Sequence, residues 1–400
     1  MTLNETPSAN RIHIGFYGKR NSGKSSLINA FTGQEVAIVS DVAGTTTDPV
    51  YKPMEVHGIG PCVFIDTAGV DDEGELGRMR VEKTKAAAEK TDIAVILFSG
   101  ADSKAELEWF QLFKQKHTPT LCVISKADVL SAQDRQVKQQ EELIRKETAQ
   151  EPLYVSAKDA DSVAAFKEAL IRLVPDDYNT ESITGALIEE GDVVLLVMPQ
   201  DIQAPKGRLI LPQVQTIRDL LDHKCLVMSC TTDKIDATLE ALSKAPKLII
   251  TDSQVFQTVY EKKPKESKLT SFSVLFAEYK GDLTYYKDSV KAIDNLTEQS
   301  RVLIAECCTH APLQEDIGRE KLPRMLRKKI GDGLTVDIVS GTDYPKDLSS
   351  YDLIIQCGAC MFNKKYVMTR IERAKEQKVP MSNYGVVIAY LSGILDKISC

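Results

Sequence analysis

The chain has 400 residues, 43% hydrophobic and 27% charged, with a formal net charge of −7. That length exceeds one ordinary core and that composition is globular, so a soluble globular protein of two or three domains is expected. No apolar run reaches about 18 residues, which argues against a membrane helix, and the acidic balance argues against a broad nucleic-acid surface. The opening MTLNETPSAN has neither the basic nor the apolar region of a secretory signal. The nine cysteines are therefore expected in a reducing, cytoplasmic compartment, as free thiols or metal ligands.

Residues 12–31, IHIGFYGKRNSGKSSLINAF, read as strand, glycine loop and helix. Gly18 to Ser25 fits G-x-x-x-x-G-K-[ST] without a mismatch, in the context that this motif requires. Backbone N–H groups from Gly18 through Asn21, Ser22 and Gly23 to Ser26 would cradle phosphate oxygens at a helix N-terminus. Lys24 would reach the β- and γ-phosphates and the Ser25 hydroxyl would bind Mg²⁺. In AGTTTDP (43–49) we expect Thr46, with Thr45 next in line, to complete the Mg²⁺ shell. In CVFIDTAG (62–69), Asp66 would hold Mg²⁺ through water and the Gly69 N–H would meet the γ-phosphate.

LCVISKAD (121–128) and LYVSAK (153–158) follow as two further strand ends. Asp128 would accept hydrogen bonds from the guanine N1–H and N2 amine, which rejects adenine. Lys126 would pack along the base, and the Ser156–Ala157–Lys158 backbone would meet the guanine oxygen. Four such segments in order after the glycine loop predict a GTPase domain over 1–177, binding GTP and Mg²⁺. Two departures stand out. Ser125 replaces the usual Asn of the base-reading motif, which lowers the expected guanine affinity. Val70 occupies the place of a water-orienting Gln, so hydrolysis must use another group, such as Glu73, Glu75 or a monovalent cation. The segment resembles the bacterial Era, Der and MnmE group of GTPases in its GxxNxGKSSL loop and GTT switch. That resemblance implies K⁺ stimulation, with Asn21 at the position of the cation-binding loop Asn.

From Asp176, DDYNTESITGALIEEGD is polar and closes the first domain. A strand VVLLVMP, a loop QAPKGRLILP, a helix over 213–222, a strand CLVMSC, a helix over 235–242 and a strand KLIITDS then predict a small α/β unit over 184–260. Its apolar surface is too limited for a lone core, so dimerisation or docking is expected. EKKPKESKLTS (261–271) reads as a charged linker. A third unit over 270–400 reads as strands FSVLFAE, RVLIAEC, LTVDIVSG and YDLIIQC. Its helices fall at 283–296, 317–330, 363–378 and 386–398. Alternating β and α predict a mostly parallel sheet, so the fold class is α/β in three domains.

Ligands gather at the carboxyl ends of strands in such sheets. Cys308 and His310 follow one strand end, Cys357 and Cys360 another, and the four side chains would meet if those strands are neighbours. Three thiolates suit a soft centre: Zn²⁺ closed as Cys₃His, or an iron–sulfur cluster with one weakly held iron. Unmetallated thiols are the remaining reading. Cys307 would point to the other strand face if the strand runs on that far and is expected in the core, as are Cys62, Cys122, Cys225 and Cys230. The chain as a whole, through GTTTDPV, DDEGELGRMRVEKT, EDIGREKLPR, C-x-H, C-x-x-C and NYGVVIAYLSG, resembles the HydF family of GTPases that mature [FeFe]-hydrogenase.

The HydF resemblance implies a [4Fe–4S] cluster on Cys308, Cys357 and Cys360. His310, which matches the family's first histidine, would be the fourth ligand or a close neighbour. It further implies a transient di-iron precursor, radical-SAM maturases that make it, and apo-[FeFe]-hydrogenase that receives it. The family's second histidine is Gln356 here, a poor ligand for iron, so water or a carboxylate such as Glu315 could fill the fourth position. A homodimer or larger assembly is expected, with no nucleic acid and no membrane as partner. An RNA-linked GTPase with a structural zinc is the alternative.

Overall fold

The computed structural model describes residues 6–33, 48–69, 74–100, 102–129, 135–175, 182–199, 209–307 and 317–399. Two compact units divide the chain, Met1–Asn179 and Thr180–Cys400.

In the first unit the strands are β1 (Ile12–Gly18), β2 (Val50–Val56), β3 (Gly60–Asp66), β4 (Ile93–Phe98), β5 (Thr120–Ser125) and β6 (Leu153–Val155). They form one sheet in the order β2-β3-β1-β4-β5-β6, parallel except for the edge pair β2–β3. Every residue of β1 and β4 is buried, as expected for central strands covered on both faces. On one face Phe16, Phe64 and Phe166 pack with the helix Lys24–Thr32. On the other, the helix Lys104–Gln115 turns Trp109, Phe110 and Phe113 inward, with Trp109 stacked on Tyr17 at 4.9 Å between ring centroids. This doubly wound arrangement places the loops after β1, β3, β5 and β6 along one edge.

The second unit holds β7 (Val193–Val197), β8 (Leu226–Cys230), β9 (Leu248–Thr251) and β10 (Lys268–Ser271) in a parallel sheet of order β10-β9-β7-β8. A second parallel sheet follows, β12-β11-β13-β14, built from β11 (Arg301–Ala305), β12 (Thr335–Val339), β13 (Leu353–Gln356) and β14 (Met381–Asn383). These are the two further α/β units expected from the sequence. They share a core: Leu195, Val197 and Ile249 of one sheet cluster with Val302, Ile304 and Ile355 of the other. The limited apolar surface of the middle unit is thus completed by docking within the chain.

Three details correct the sequence reading. Residues 268–271 are not linker but the edge strand β10. FSVLFAE is not a strand; it lies in the helix Phe272–Lys280, capped by the Ser271 hydroxyl, which accepts from the Val274 N–H at 3.2 Å. That helix is buried on most sides, with Phe272, Leu275 and Phe276 in one cluster and Val274 and Ala277 in the other. The expected helix over 386–398 is the shorter Tyr384–Leu391 followed by a separate turn, and β14 precedes it.

Candidate functional site

The phosphate loop follows β1. Gly18 has φ 151° and a Cβ there would lie 2.6 Å from the Leu97 carbonyl oxygen, so only glycine fits. Asn21 and Gly23 take left-handed φ values of 56° and 92°, which turn the loop into the helix that begins at Lys24. Lys24 is 6% exposed and its ammonium donates to the Lys19 and Gly18 carbonyls at 2.7 and 3.0 Å, with the Ser22 hydroxyl at 3.5 Å. The cation is thus folded over the cradle that a phosphate would occupy. Asn21 is exposed beside it.

Ser25 Oγ donates to Asp66 Oδ2 at 2.7 Å. Asp66 is buried, and burial pushes its carboxyl up, opposed by the Ser25 hydrogen bond and the Lys24 and Lys52 charges. Its other oxygen, Oδ1, is buried with no hydrogen-bond partner among the described residues. A hydroxyl and a buried carboxylate with a spare oxygen suit a divalent cation, and Mg²⁺ fits this pair. Gly69 lies against the loop, since a Cβ there would meet the Arg20 backbone nitrogen at 2.5 Å. Thr46, Thr45, Val70 and Glu73 lie outside the described residues, as does the Glu75 side chain.

At the other end of the edge, Asp128 accepts from Ser156 Oγ at 2.9 Å and from Lys158 Nζ at 3.1 Å. The Lys158 hydrogen bond, then that of Ser156, holds its carboxyl below the usual range, so it is ionised and able to accept. Lys126 is exposed at φ 59°. Ser125 is buried and its hydroxyl donates to the Phe98 carbonyl at 3.3 Å, tying β5 to the end of β4. A cavity of about 720 Å³ joins the two ends. Gly23, Ser26 and Asn29 line one side; Ser125, Lys126, Asp128, Ala157 and Lys158 line the other. Sequence reasoning missed Glu106, fully buried 3.9 Å from Lys19 of the phosphate loop.

The thiol site lies at the carboxyl edge of the last sheet. β11 and β13 are neighbours, with Ala305 opposite Gln356, so the expected adjacency of their ends holds. The Cys307 N–H donates to Cys357 Sγ at 3.2 Å. The Cys307 thiol is buried, as expected, and burial pushes it up. Cys357 is held below the usual thiol range, chiefly by a hydrogen bond from the Cys307 thiol and in spite of its burial. Ala359, at φ 52°, turns the chain between Cys357 and Cys360. Gln356 is 1% exposed, and the Asn383 amide donates to the Cys357 carbonyl at 3.3 Å.

Two buried cations flank this loop, and neither was read from the sequence. Lys280 donates to the Phe362 carbonyl at 2.8 Å, and burial brings it down to about 8 against the pull of the three thiols. Arg370 is stacked among Tyr344, Phe362 and Tyr366, 4.6 to 4.9 Å from the ring centroids. A depressed thiol with an N–H donor and buried cations beside it has the chemistry of a thiolate ligand for a soft metal. Cys308, His310 and Glu315 lie outside the described residues. Among the described residues no group of three or more His, Cys, Asp or Glu is placed to hold one ion. Cys62, Cys122 and Cys225 are buried as expected, and Cys230 is half-buried.

Residues 284–399 match a family model described as the hydrogen maturase F tetramerization domain, and residues 183–281 match its dimerization domain. Together these two models span more than half of the chain. Residues 13–126 match the model described as 50S ribosome-binding GTPase. GTPase Der of Wolinella succinogenes is 34% identical over 177 residues, 43% of this chain and 37% of that protein. The tRNA modification GTPase MnmE of Ralstonia nicotianae is 34% identical over 173 residues, 40% of this chain and 34% of that protein. The chain thus spans little more than a third of these curated relatives. Among solved structures, Era of Aquifex aeolicus bound to GDP and AlF₄⁻ aligns over 55% of this chain and 92% of its own, at 19% identity and a TM-score of 0.36.

Proposed function

Since the chain belongs to the HydF family of hydrogenase maturation GTPases, we propose that it hydrolyses GTP and carries a [4Fe–4S] cluster used in building [FeFe]-hydrogenase. Its cargo is the di-iron precursor made by radical-SAM maturases, which it receives and delivers to apo-[FeFe]-hydrogenase. GTP binding is assigned to residues 1–177 and dimerisation to the unit that begins at 184, extended by β10. The cluster is assigned to the unit up to residue 400.

In the nucleotide site Lys24 neutralises the β- and γ-phosphates, while Ser25, Thr46 and, through water, Asp66 hold Mg²⁺. The Gly69 N–H meets the γ-phosphate, and Asp128 selects guanine with Lys126 and the Ser156–Ala157–Lys158 turn around the base. Val70 cannot orient water. K⁺ at Asn21 would add positive charge beside the phosphates, with Glu73 and Glu75 as the other candidates for assisting water.

Cys308, Cys357 and Cys360 would hold the cluster, with His310, water or Glu315 at the remaining iron. Bound there, it supplies an iron whose fourth ligand can exchange. The observation that carries this reading is the Cys307 N–H directed at Cys357 Sγ, which sets the segment leading to Cys308 against the C-x-x-C loop. The dimerization and tetramerization domains support oligomerisation, and β8 is a sheet edge that exposes Leu226 and Met228. Among the described residues no helix is long and apolar enough to cross a membrane.

Anaerobic purification with iron supplied, followed by metal analysis and EPR, tests the proposal. The expected result is iron with a [4Fe–4S] signal. Zinc without iron would overturn it.

A further inference from the structure

Lys280 ends the helix Phe272–Lys280 and is 1% exposed, an unusual place for an amine. Among the described residues no carboxylate pairs with it. Its acceptors are main-chain carbonyls of the thiol loop: Phe362 at 2.8 Å, Ala359 at 3.4 Å and Cys360 at 3.5 Å. Three main-chain carbonyls thus converge on one nitrogen, an arrangement that matches the donors of an ammonium group. In a trans peptide the N–H points opposite to the carbonyl. The peptides that turn their oxygens to Lys280 therefore turn their N–H groups to the other side of the loop. Arg370, also 1% exposed, stacks on Phe362 and adds a second buried cation under the same turn.

We propose that Lys280 is a positioning residue for the metal-binding thiols. It clamps the turn from Ala359 to Phe362 by its carbonyls and sets a fixed positive charge beneath the thiolates, favouring the more reduced, more negative state of a bound centre. Burying thiolates and their centre without a counter-charge would be costly, and among the described residues no carboxylate neutralises Lys280 first. The charge aspect rests on the iron–sulfur reading above; the clamp does not.

The test uses the full chain with Lys280→Met, of similar length and no charge, and Lys280→Gln, which keeps a donor and loses the charge. In the apo protein, Lys280→Met should speed amide exchange across 357–363 relative to the neighbouring β11 and β13. After anaerobic reconstitution, iron loss to a chelator should accelerate roughly tenfold or more, the size of one lost charge-assisted hydrogen bond. The midpoint potential should move negative in both variants. A folded Lys280→Met protein with wild-type exchange and iron loss overturns the clamp. An unchanged potential in either variant overturns the charge, and Lys280→Gln carries that measurement if the Met variant does not fold. If the wild-type chain itself takes up no iron, the iron–sulfur reading and the charge role fail together. The exchange measurement on apo protein still decides the clamp.

Discussion

The Cys307 backbone N–H meets the sulfur of Cys357 across 3.2 Å, joining two strand ends fifty residues apart. The bond uses the main chain of one residue and the side chain of the other, so substitutions at the two positions should part company. Cys307→Ala keeps the N–H, though it removes the thiol that lowers Cys357, and should retain the iron signal, at a cost of about 1 kcal/mol for the lost buried sulfur. Cys308→Ser, Cys357→Ser and Cys360→Ser should each lose the [4Fe–4S] EPR signal and hydrogenase activation, because a hydroxyl is a poor substitute for a thiolate on iron. Gln356→Ala should keep the cluster. Serine variants that still activate hydrogenase would rule out this ligand set.

Lys24→Ala removes the ammonium that covers the phosphate cradle. GTP turnover should fall by at least about 10²-fold, the scale of losing one preorganised charge at the reacting phosphate. Iron uptake should persist, since Lys24 and the cysteines belong to different compact units. Parallel iron analysis and phosphate-release assays on the same preparation check both halves.

Replacing Na⁺ by K⁺ at constant ionic strength should raise GTP turnover, and Asn21→Ala should remove most of the gain. Equal rates in the two salts would return attention to Glu73 and Glu75.

Asp128→Asn exchanges a carboxylate that accepts twice for an amide that accepts and donates. GTP affinity should drop roughly 10- to 100-fold, one lost hydrogen bond to a charged group. Xanthosine triphosphate, whose C2 carbonyl can accept from the amide, should bind the variant better than GTP does. Competition binding with both nucleotides reads this out.

Glu106 is 0% exposed, and burial raises its carboxyl above the ordinary glutamate value in spite of Lys19. A raised folded pKa means that the folded state holds the proton more tightly than the unfolded chain. Stability is then lost as pH rises through that window, and regained as pH falls toward the ordinary value. Glu106→Gln should therefore melt at a higher temperature than wild type at pH 8, with the gap closing toward pH 5. The chain has a single tryptophan, and Trp109 sits on the same helix, so its fluorescence reports this unit. A gap that widens toward acid would refute the sign.

Much of the nucleotide site was legible because its geometry is local. A glycine loop between a strand and a helix needs only the order of Gly18 to Ser25, and Asp66, Asp128 and Ser156 each sit at or just beyond a strand end. Parallel α/β topology then brings those ends to one edge without further information. Cys307 is buried as expected, but β11 ends at Ala305, so strand alternation is not what buries it. FSVLFAE failed for a physical reason. A helix buried on most sides shows no helical period, and a short apolar run cannot be told from a strand. The Ser271 cap was the local signal that could have decided it. β14 is only three residues long and carried no pattern of its own.

What tertiary structure alone decided is which distant groups share a site. Lys280 reads in sequence as one more surface lysine, because burial of an amine depends on what covers it. It reaches the thiol loop across 82 residues, at the Phe362 carbonyl. The docking of the middle sheet onto the last one is equally invisible in the chain, since either apolar face could have been covered by another molecule. Periodicity and motifs report what each segment does with its neighbours in sequence. The cationic floor under Cys357 and Cys360 exists only because packing two sheets into one core carries Lys280 there.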